Sequence, residues 1–234
     1  MNADKHGRDT VAMESAEERA YRSIINMIVF HKCPPGSPVV EKQIAEELNL
    51  SRTPVRNALK RLVSDGLLDS SKNRGCFVPM LSRRDLDNLY SFRMLIECDC
   101  AKKAALHCNA IDIKRMKSLL REEKVVFNER KEEIYLVNEK IHLAIVTASQ
   151  NEYFVKPVKQ LIWRNQLYLF FFDSFYMGNV SLNKEKLPDG NFKSCEEHRI
   201  LFEAIQSKDP VYAEQVMEEH VTATYELLVQ TKWH

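Results

Sequence analysis

Residues 51–62 read Ser51-Arg52-Thr53-Pro54-Val55-Arg56-Asn57-Ala58-Leu59-Lys60-Arg61-Leu62. Val55, Ala58, Leu59 and Leu62 recur at i, i+3, i+4 and i+7, the spacing of one buried helical face. Ser51 is a natural N-cap. Pro54 is tolerated in a first turn, because the N–H it lacks would be unpaired there. Arg52, Arg56, Asn57 and Lys60 occupy the opposite face. Between Ser51 and Ser64 stand four basic residues (Arg52, Arg56, Lys60, Arg61) and no acidic one. Such a charge run is ordinarily a solvated helix face. A helix that reads a DNA major groove needs the same surface: Arg forks onto guanine O6/N7, while Lys and Ser contact phosphates.

The flanking sequence favours the DNA reading. Upstream, Ser15 and Glu18 have the spacing of a capping box. Ala20, Ile24, Met27 and Ile28 then form one apolar face, and Pro34-Pro35-Gly36 stops that helix. A short second helix over 41–48 carries Ile44, Ala45 and Leu48 inward. Downstream of Gly66, 67–71 and 76–78 read as two short strands. Lys72-Asn73-Arg74-Gly75 makes the hairpin between them, with Gly75 free to take positive φ. Three helices followed by a basic-tipped hairpin is the order of a winged helix-turn-helix.

The chain has 234 residues, enough for two domains. Neither Gly nor Pro occurs from Met80 to Lys156, so that stretch predicts long helices. The expected organisation is a loose tail over 1–14, the winged helix over 15–79, and an all-helical unit over 80–234. The second unit should hold six helices, at about 84–107, 110–127, 130–149, 152–177, 194–207 and 210–231, with breaks at 178–191 and at Asp209-Pro210. The fold class is mainly α: an N-terminal winged helix-turn-helix and a C-terminal all-α bundle. Apolar residues make up 44% and charged residues 29%, a globular composition. Lys+Arg is 34 against Asp+Glu 33, so any attraction to DNA must come from a local patch. The longest apolar run, Leu167 to Phe172, is far short of the roughly 20 residues a membrane span needs. The N-terminal stretch is polar, without the apolar core of a secretory signal. Six irregularly spaced cysteines predict reduced thiols and a cytoplasmic protein. Cys98 and Cys100 point about 200° apart on a helix and read as packing.

Three histidines lie on apolar helix faces. His142 shares a stripe with Ile134, Asn138, Ile141 and Ile145; His198 lies with Leu201, Phe202 and Ile205; His220 lies with Ala213, Val216, Met217, Thr224 and Leu227. A single histidine in such a place is ordinarily a satisfied core residue. His198 and His220, however, flank the tight connection at Asp209-Pro210, where Asp209 is an N-cap and Pro210 sits at N1. At about 1.5 Å per residue both lie roughly 14 Å from the turn on an antiparallel pair. Two level inward histidines plus a third make a metal triad credible.

Residues 35–78 closely resemble the winged-helix domain of GntR-type bacterial transcription regulators, on the S-R-T-P-V-R stretch, the following A-L-x-R-L, the D-G-L and the wing R-G. Downstream, L-D-N-L-Y-S-F-R-M-L-I-E at 86–97, H-R-I-L-F-E-A-I and E-H are similar to the FCD effector domain of the FadR subgroup. By that resemblance Lys42, Arg52, Thr53 and Arg56 contact the operator from the helices, and Asn73, Arg74 and Gly75 from the wing. Ser51, Asn57, Lys60 and Lys72 complete the expected DNA surface. The resemblance also implies metal ligands at His142, His198 and His220, with a fourth at Asn138, where the family has Asp; the alternative role for Asn138 is a hydrogen bond to the effector or to a bound water. An amide brings no charge, so this ligand set is one negative charge short. In the family the open coordination positions accept small carboxylates, with arginines assisting. Arg164 is the candidate here, with Arg93 second, although Glu97 at i+4 offers Arg93 a simple ion pair.

The expected function is thus a ligand-responsive, homodimeric DNA-binding regulator with a pseudo-palindromic operator and no enzymatic or membrane role. The expected partners are a small carboxylate and a divalent transition metal, zinc or nickel on imidazole donors. Its rivals are a metal sensor without organic ligand and a metalloenzyme, which would need a general base beside the metal.

Overall fold

The computed structural model describes residues 14–129, 133–172 and 189–230. Its first part is α1 (Ala16–Val29), α2 (Glu41–Glu47), α3 (Arg52–Asp65), β1 (Asp69–Ser71) and β2 (Gly75–Phe77). The Ser15 hydroxyl accepts from the Glu18 N–H at 3.1 Å, half of the expected capping box. The other half is absent because the Glu18 carboxylate reaches Arg61 at 2.7 Å and ties α1 to α3. Gly66 closes α3 at φ +89, a left-handed conformation suited to glycine. A Cβ there would lie 3.0 Å from the Gln160 carbonyl, so the same glycine permits close packing against a later helix.

The antiparallel hairpin pairs Asp69 with Phe77 and Ser71 with Gly75. Its strands differ from the expected 67–71 and 76–78. Leu67 and Leu68 donate their N–H groups back to the Leu62 carbonyl, at 3.0 and 3.2 Å, and so belong to the helix cap. Their apolar character reflects burial rather than strand pairing.

The second part is all helical: α4 (Arg83–His107), α5 (Ala110–Glu129), α6 (Ile134–Ala148), α7 (Val155–Phe172), α8 (Asp189–Gln206) and α9 (Pro210–Val229). A 3-10 turn, Glu152–Phe154, precedes α7 where a continuous helix was expected. The expected helical residues 130–132, 173–177 and 231 lie outside the described residues. So does most of the expected break at 178–191, and Asp189–Asn191 already belong to α8. Asp209 caps α9 as expected, accepting from the Val211 and Tyr212 N–H groups. Cys98 and Cys100 are buried free thiols. Among the described residues no helix is long and apolar enough to cross a membrane.

The two parts share a core. Trp163, Leu167 and Phe170 of α7, with Tyr135 of α6, pack into the apolar cluster of the winged helix. Polar contacts ring this junction: Lys159 to Asp65 at 2.8 Å, Arg164 to Asp69 at 2.8 Å, and Gln160 to the Ser64 carbonyl at 3.0 Å.

Candidate functional site

His142 projects from α6, His198 from α8 and His220 from α9, each from a buried face. Their ring centroids lie 5.6, 5.3 and 4.9 Å apart, and one ligand atom from each ring falls within 4.8 Å of the other two. Every Nδ1 meets a carboxylate from another helix: His142 pairs with Glu97 at 2.5 Å, His198 with Glu123 at 2.6 Å, and His220 with Glu197 at 2.8 Å. An ionised carboxylate only accepts, so each Nδ1 carries a proton, and a neutral ring then keeps its lone pair on Nε2. Carboxylates commonly orient metal-binding imidazoles in this way. The buried His198 Nε2 has no hydrogen-bond partner. An orphaned acceptor in an apolar wall is costly, and three imidazole nitrogens are a fitting donor set for a borderline divalent ion.

Electrostatics differ among the three rings. Burial lowers the pKa of His142 against the pull of Glu97. Burial, the largest cause, lowers His220 to about 4. For His198 burial also acts downward, but the Glu123 carboxylate outweighs it and the net shift is upward. Burial would raise Glu97, yet Arg93 and His142 hold it well below the carboxylate range.

His220 opens onto a cavity of about 320 Å³ between α4, α5, α6, α7, α8 and α9. Arg93, Asn138, Asn165, Gln166 and Thr224 line it. Arg93 is 1% exposed and pairs with Glu97 at 2.6 Å, as its spacing suggested. Its Nη1 and the Gln166 Nε2 are buried donors without partners. Arg164, expected here, does not line the cavity: it turns the other way, to Asp69 at the base of the wing. Asn138 sits one helical turn before His142 and faces the cavity. Cys195 also lines it; burial first and then Glu123 push this thiol up to about 12, so it stays protonated.

The expected DNA surface is exposed throughout: Lys42, Ser51, Arg52, Thr53, Arg56, Asn57, Lys60, Lys72, Asn73, Arg74 and Gly75. Ser51 holds the N-cap position of α3, but its hydroxyl makes no cap bond. Arg56 forms two bonds to Glu41, both 2.9 Å, which anchor its guanidinium to α2. Arg74 reaches the Gly36 carbonyl at 3.2 Å and stacks over Phe77. Sequence spacing did not reveal Glu41, nor the three carboxylates behind the histidines.

Two family descriptions match the chain in comparison with known proteins. Residues 16–78 match the family described as bacterial regulatory proteins, gntR family, and residues 88–223 match the FCD domain. The Nta operon transcriptional regulator of Aminobacter aminovorans is 30% identical over 135 residues, spanning 58% of this chain and 64% of that protein. The Uxu operon regulator of Haemophilus influenzae is 28% identical over 192 residues, 77% of this chain and 69% of its own. Among solved structures, Escherichia coli McbR/YncC superposes with a TM-score of 0.70 at 24% identity, covering 93% of this chain and 99% of that one. That likeness concerns the fold.

Proposed function

The chain belongs to the GntR family of bacterial regulatory proteins and carries an FCD domain, and from that premise we propose that it is a transcription regulator whose operator affinity is set by a small carboxylate bound beside a metal at the three-histidine centre. The observation that carries this reading is the cavity itself. It joins a histidine of the triad to two buried, unpartnered donors, Arg93 Nη1 and Gln166 Nε2. Both donors need an acceptor, and a carboxylate supplies acceptors that a guanidinium binds well. Zinc or nickel on His142, His198 and His220 would supply a Lewis-acidic centre for an oxygen ligand. The protein's own groups do the rest: the three carboxylates orient the imidazoles, and Arg93 and Gln166 orient the effector. Asn138 offers an amide at the cavity wall. A cavity with unpaired donors favours a metabolite over metal sensing alone.

On the DNA side, the α3 face and the wing would read one half-site, and a symmetric homodimer a pseudo-palindrome. An exposed apolar row on α4, Phe92, Leu95 and Leu106, is a suitable surface for the partner copy; Leu95 is 75% exposed.

Two measurements test this reading. In a thermal-shift screen of zinc-loaded protein against sugar acids, dicarboxylates and lactate, at least one acid should raise the midpoint. Saturation to about 100 times Kd is worth roughly 2.7 kcal/mol. The same acid should leave His220→Ala unmoved; an equal shift in that variant would place the effector elsewhere. In gel shifts on a selected operator, Arg52→Ala and Arg56→Ala should each lose about 1–3 kcal/mol if they read guanine. Lys42→Ala should instead weaken all sequences and flatten the salt dependence. Unchanged affinity in both arginine variants would refute the assignment of α3 as the reading helix.

A further inference from the structure

We infer that Glu41, a residue of α2 outside the reading helix, is a positioning residue for operator recognition: it holds the side edge of the Arg56 guanidinium, so that Arg56 meets the major groove with its end edge and selects one guanine in each half-site. The inference rests on the reading of α3 proposed above and extends it to a carboxylate on a different helix.

The four basic side chains of α3 divide by what holds them. Arg61 is built into the fold: it bonds Glu18 at 2.7 Å and lies over the Tyr21 ring at 3.8 Å. Arg52 and Lys60 are exposed and form no ion pair among the described residues. Arg56 is the intermediate case. Its side chain is 57% exposed, yet two bonds fix it to one carboxylate, Nε to Oε2 and Nη2 to Oε1, both 2.9 Å. The bonds from Arg56 hold the Glu41 carboxyl below its usual pKa, and Arg52 acts in the same sense, so Glu41 stays ionised. An acidic residue in the first turn ordinarily serves the dipole of its own helix. Glu41 opens α2, whose N-cap Val40 makes no side-chain bond, but its carboxylate goes to Arg56, 15 residues along the chain.

These bonds decide which edge of Arg56 is left. A guanidinium carries five N–H groups in a planar fork. With Nε–H and one Nη2–H committed to Glu41, both Nη1–H groups and the second Nη2–H remain. That end edge is a forked donor pair suited to guanine O6 and N7. The adjacent carboxylate also repels phosphate, which turns Arg56 away from the DNA backbone and towards base edges. An exposed ion pair adds little to stability. Its effect here is on direction, because a side chain held before binding loses less freedom when it binds.

The full-length protein is titrated with a duplex selected from a random library, and with duplexes carrying single base-pair changes across one half-site. Arg56→Ala identifies the guanine, as the position where preference disappears. At that position Glu41→Gln should reduce discrimination about 10-fold. Its affinity for a duplex of unrelated sequence should stay level or rise, because one negative charge near the phosphates has gone. The double variant Arg56→Ala/Glu41→Gln should discriminate no worse than Arg56→Ala alone. The thermal midpoint of Glu41→Gln should match wild type; a lower midpoint with equal weakening on every duplex marks a structural role and overturns the inference. Tighter binding to every duplex at undiminished discrimination overturns it too, because Glu41 then screens Arg56 rather than aiming it. Unchanged discrimination in Glu41→Gln, while Arg56→Ala still loses it, removes Glu41 alone and leaves α3 as the reading helix. If Arg56→Ala loses no preference at any position, the reading through Arg56 falls and this inference with it.

Discussion

Arg93→Met should destabilise the metal-free protein by about 3–5 kcal/mol, the loss expected when one partner of a buried ion pair is removed. Arg93 is 1% exposed, bonds Glu97 at 2.6 Å, and lies over the Tyr90 ring at 5.0 Å. Methionine fills much of the volume but leaves Glu97 buried, with the His142 Nδ1–H as its remaining bond. For a chain of this size each kcal/mol moves the thermal midpoint by about 2–4 °C, so calorimetry should show a fall of roughly 6–20 °C. Zinc should recover part of that loss, because positive charge at the imidazoles again faces Glu97. The double variant Arg93→Met/Glu97→Gln should be more stable than the single one, since no unpaired charge remains. That double variant should nonetheless fail to respond to a carboxylate, having lost the cavity's cationic donor. A single-variant loss under about 1 kcal/mol would mean that water reaches Glu97 and that the pair is not desolvated as its burial indicates.

The elements legible in the sequence are those set by local spacing. The α3 stripe, the wing-tip Gly75 and the Asp209-Pro210 turn each depend on residues within a few positions of one another. All appear where that spacing put them. The histidines were legible for the same reason: two flank one tight turn and the third lies on an apolar stripe. What was hidden is what helices do to one another. No spacing rule links Glu123 to His198, which are 75 residues apart, or Glu97 to His142, which are 45 apart. Arg164 shows the converse error. An aromatic-rich helix looked like a cavity wall, whereas its aromatic face is core for the other half of the protein. Leu67 and Leu68 misled in a third way, because buried leucines that cap a helix have the same composition as a strand.

Trp163→Ala should have the largest effect on how the two halves work together. Trp163 is 1% exposed and sits edge-on to Tyr21 of α1, with ring centroids 6.4 Å apart, and against Tyr135 of α6 at 5.7 Å. Truncating a buried Trp costs about 3–5 kcal/mol through lost burial and the remaining cavity. The location matters more than the amount. The winged helix completes its core with Trp163, Leu167 and Phe170 of α7, and the neighbouring α7 residues Asn165, Gln166 and Leu169 line the cavity beside His220. One helix therefore carries both faces, and under the proposed function a shift on ligand binding at Gln166 would be felt at Trp163 one turn away. Wild-type protein should melt in one cooperative transition. Trp163→Ala should melt in two, the winged helix first, because Tyr135, Leu167 and Phe170 then border a cavity and the polar bonds at the junction, such as Arg164 to Asp69, are exposed or half-buried. Its operator affinity at low temperature should remain near wild type, since α3 and the wing are untouched, while the change in affinity on adding effector should vanish. Trp163→Phe, which keeps a ring in the same place, should restore the single transition and part of the response. If Trp163→Ala still melts in one transition and still responds fully to effector, α7 is not the link, and the signal must pass by another route.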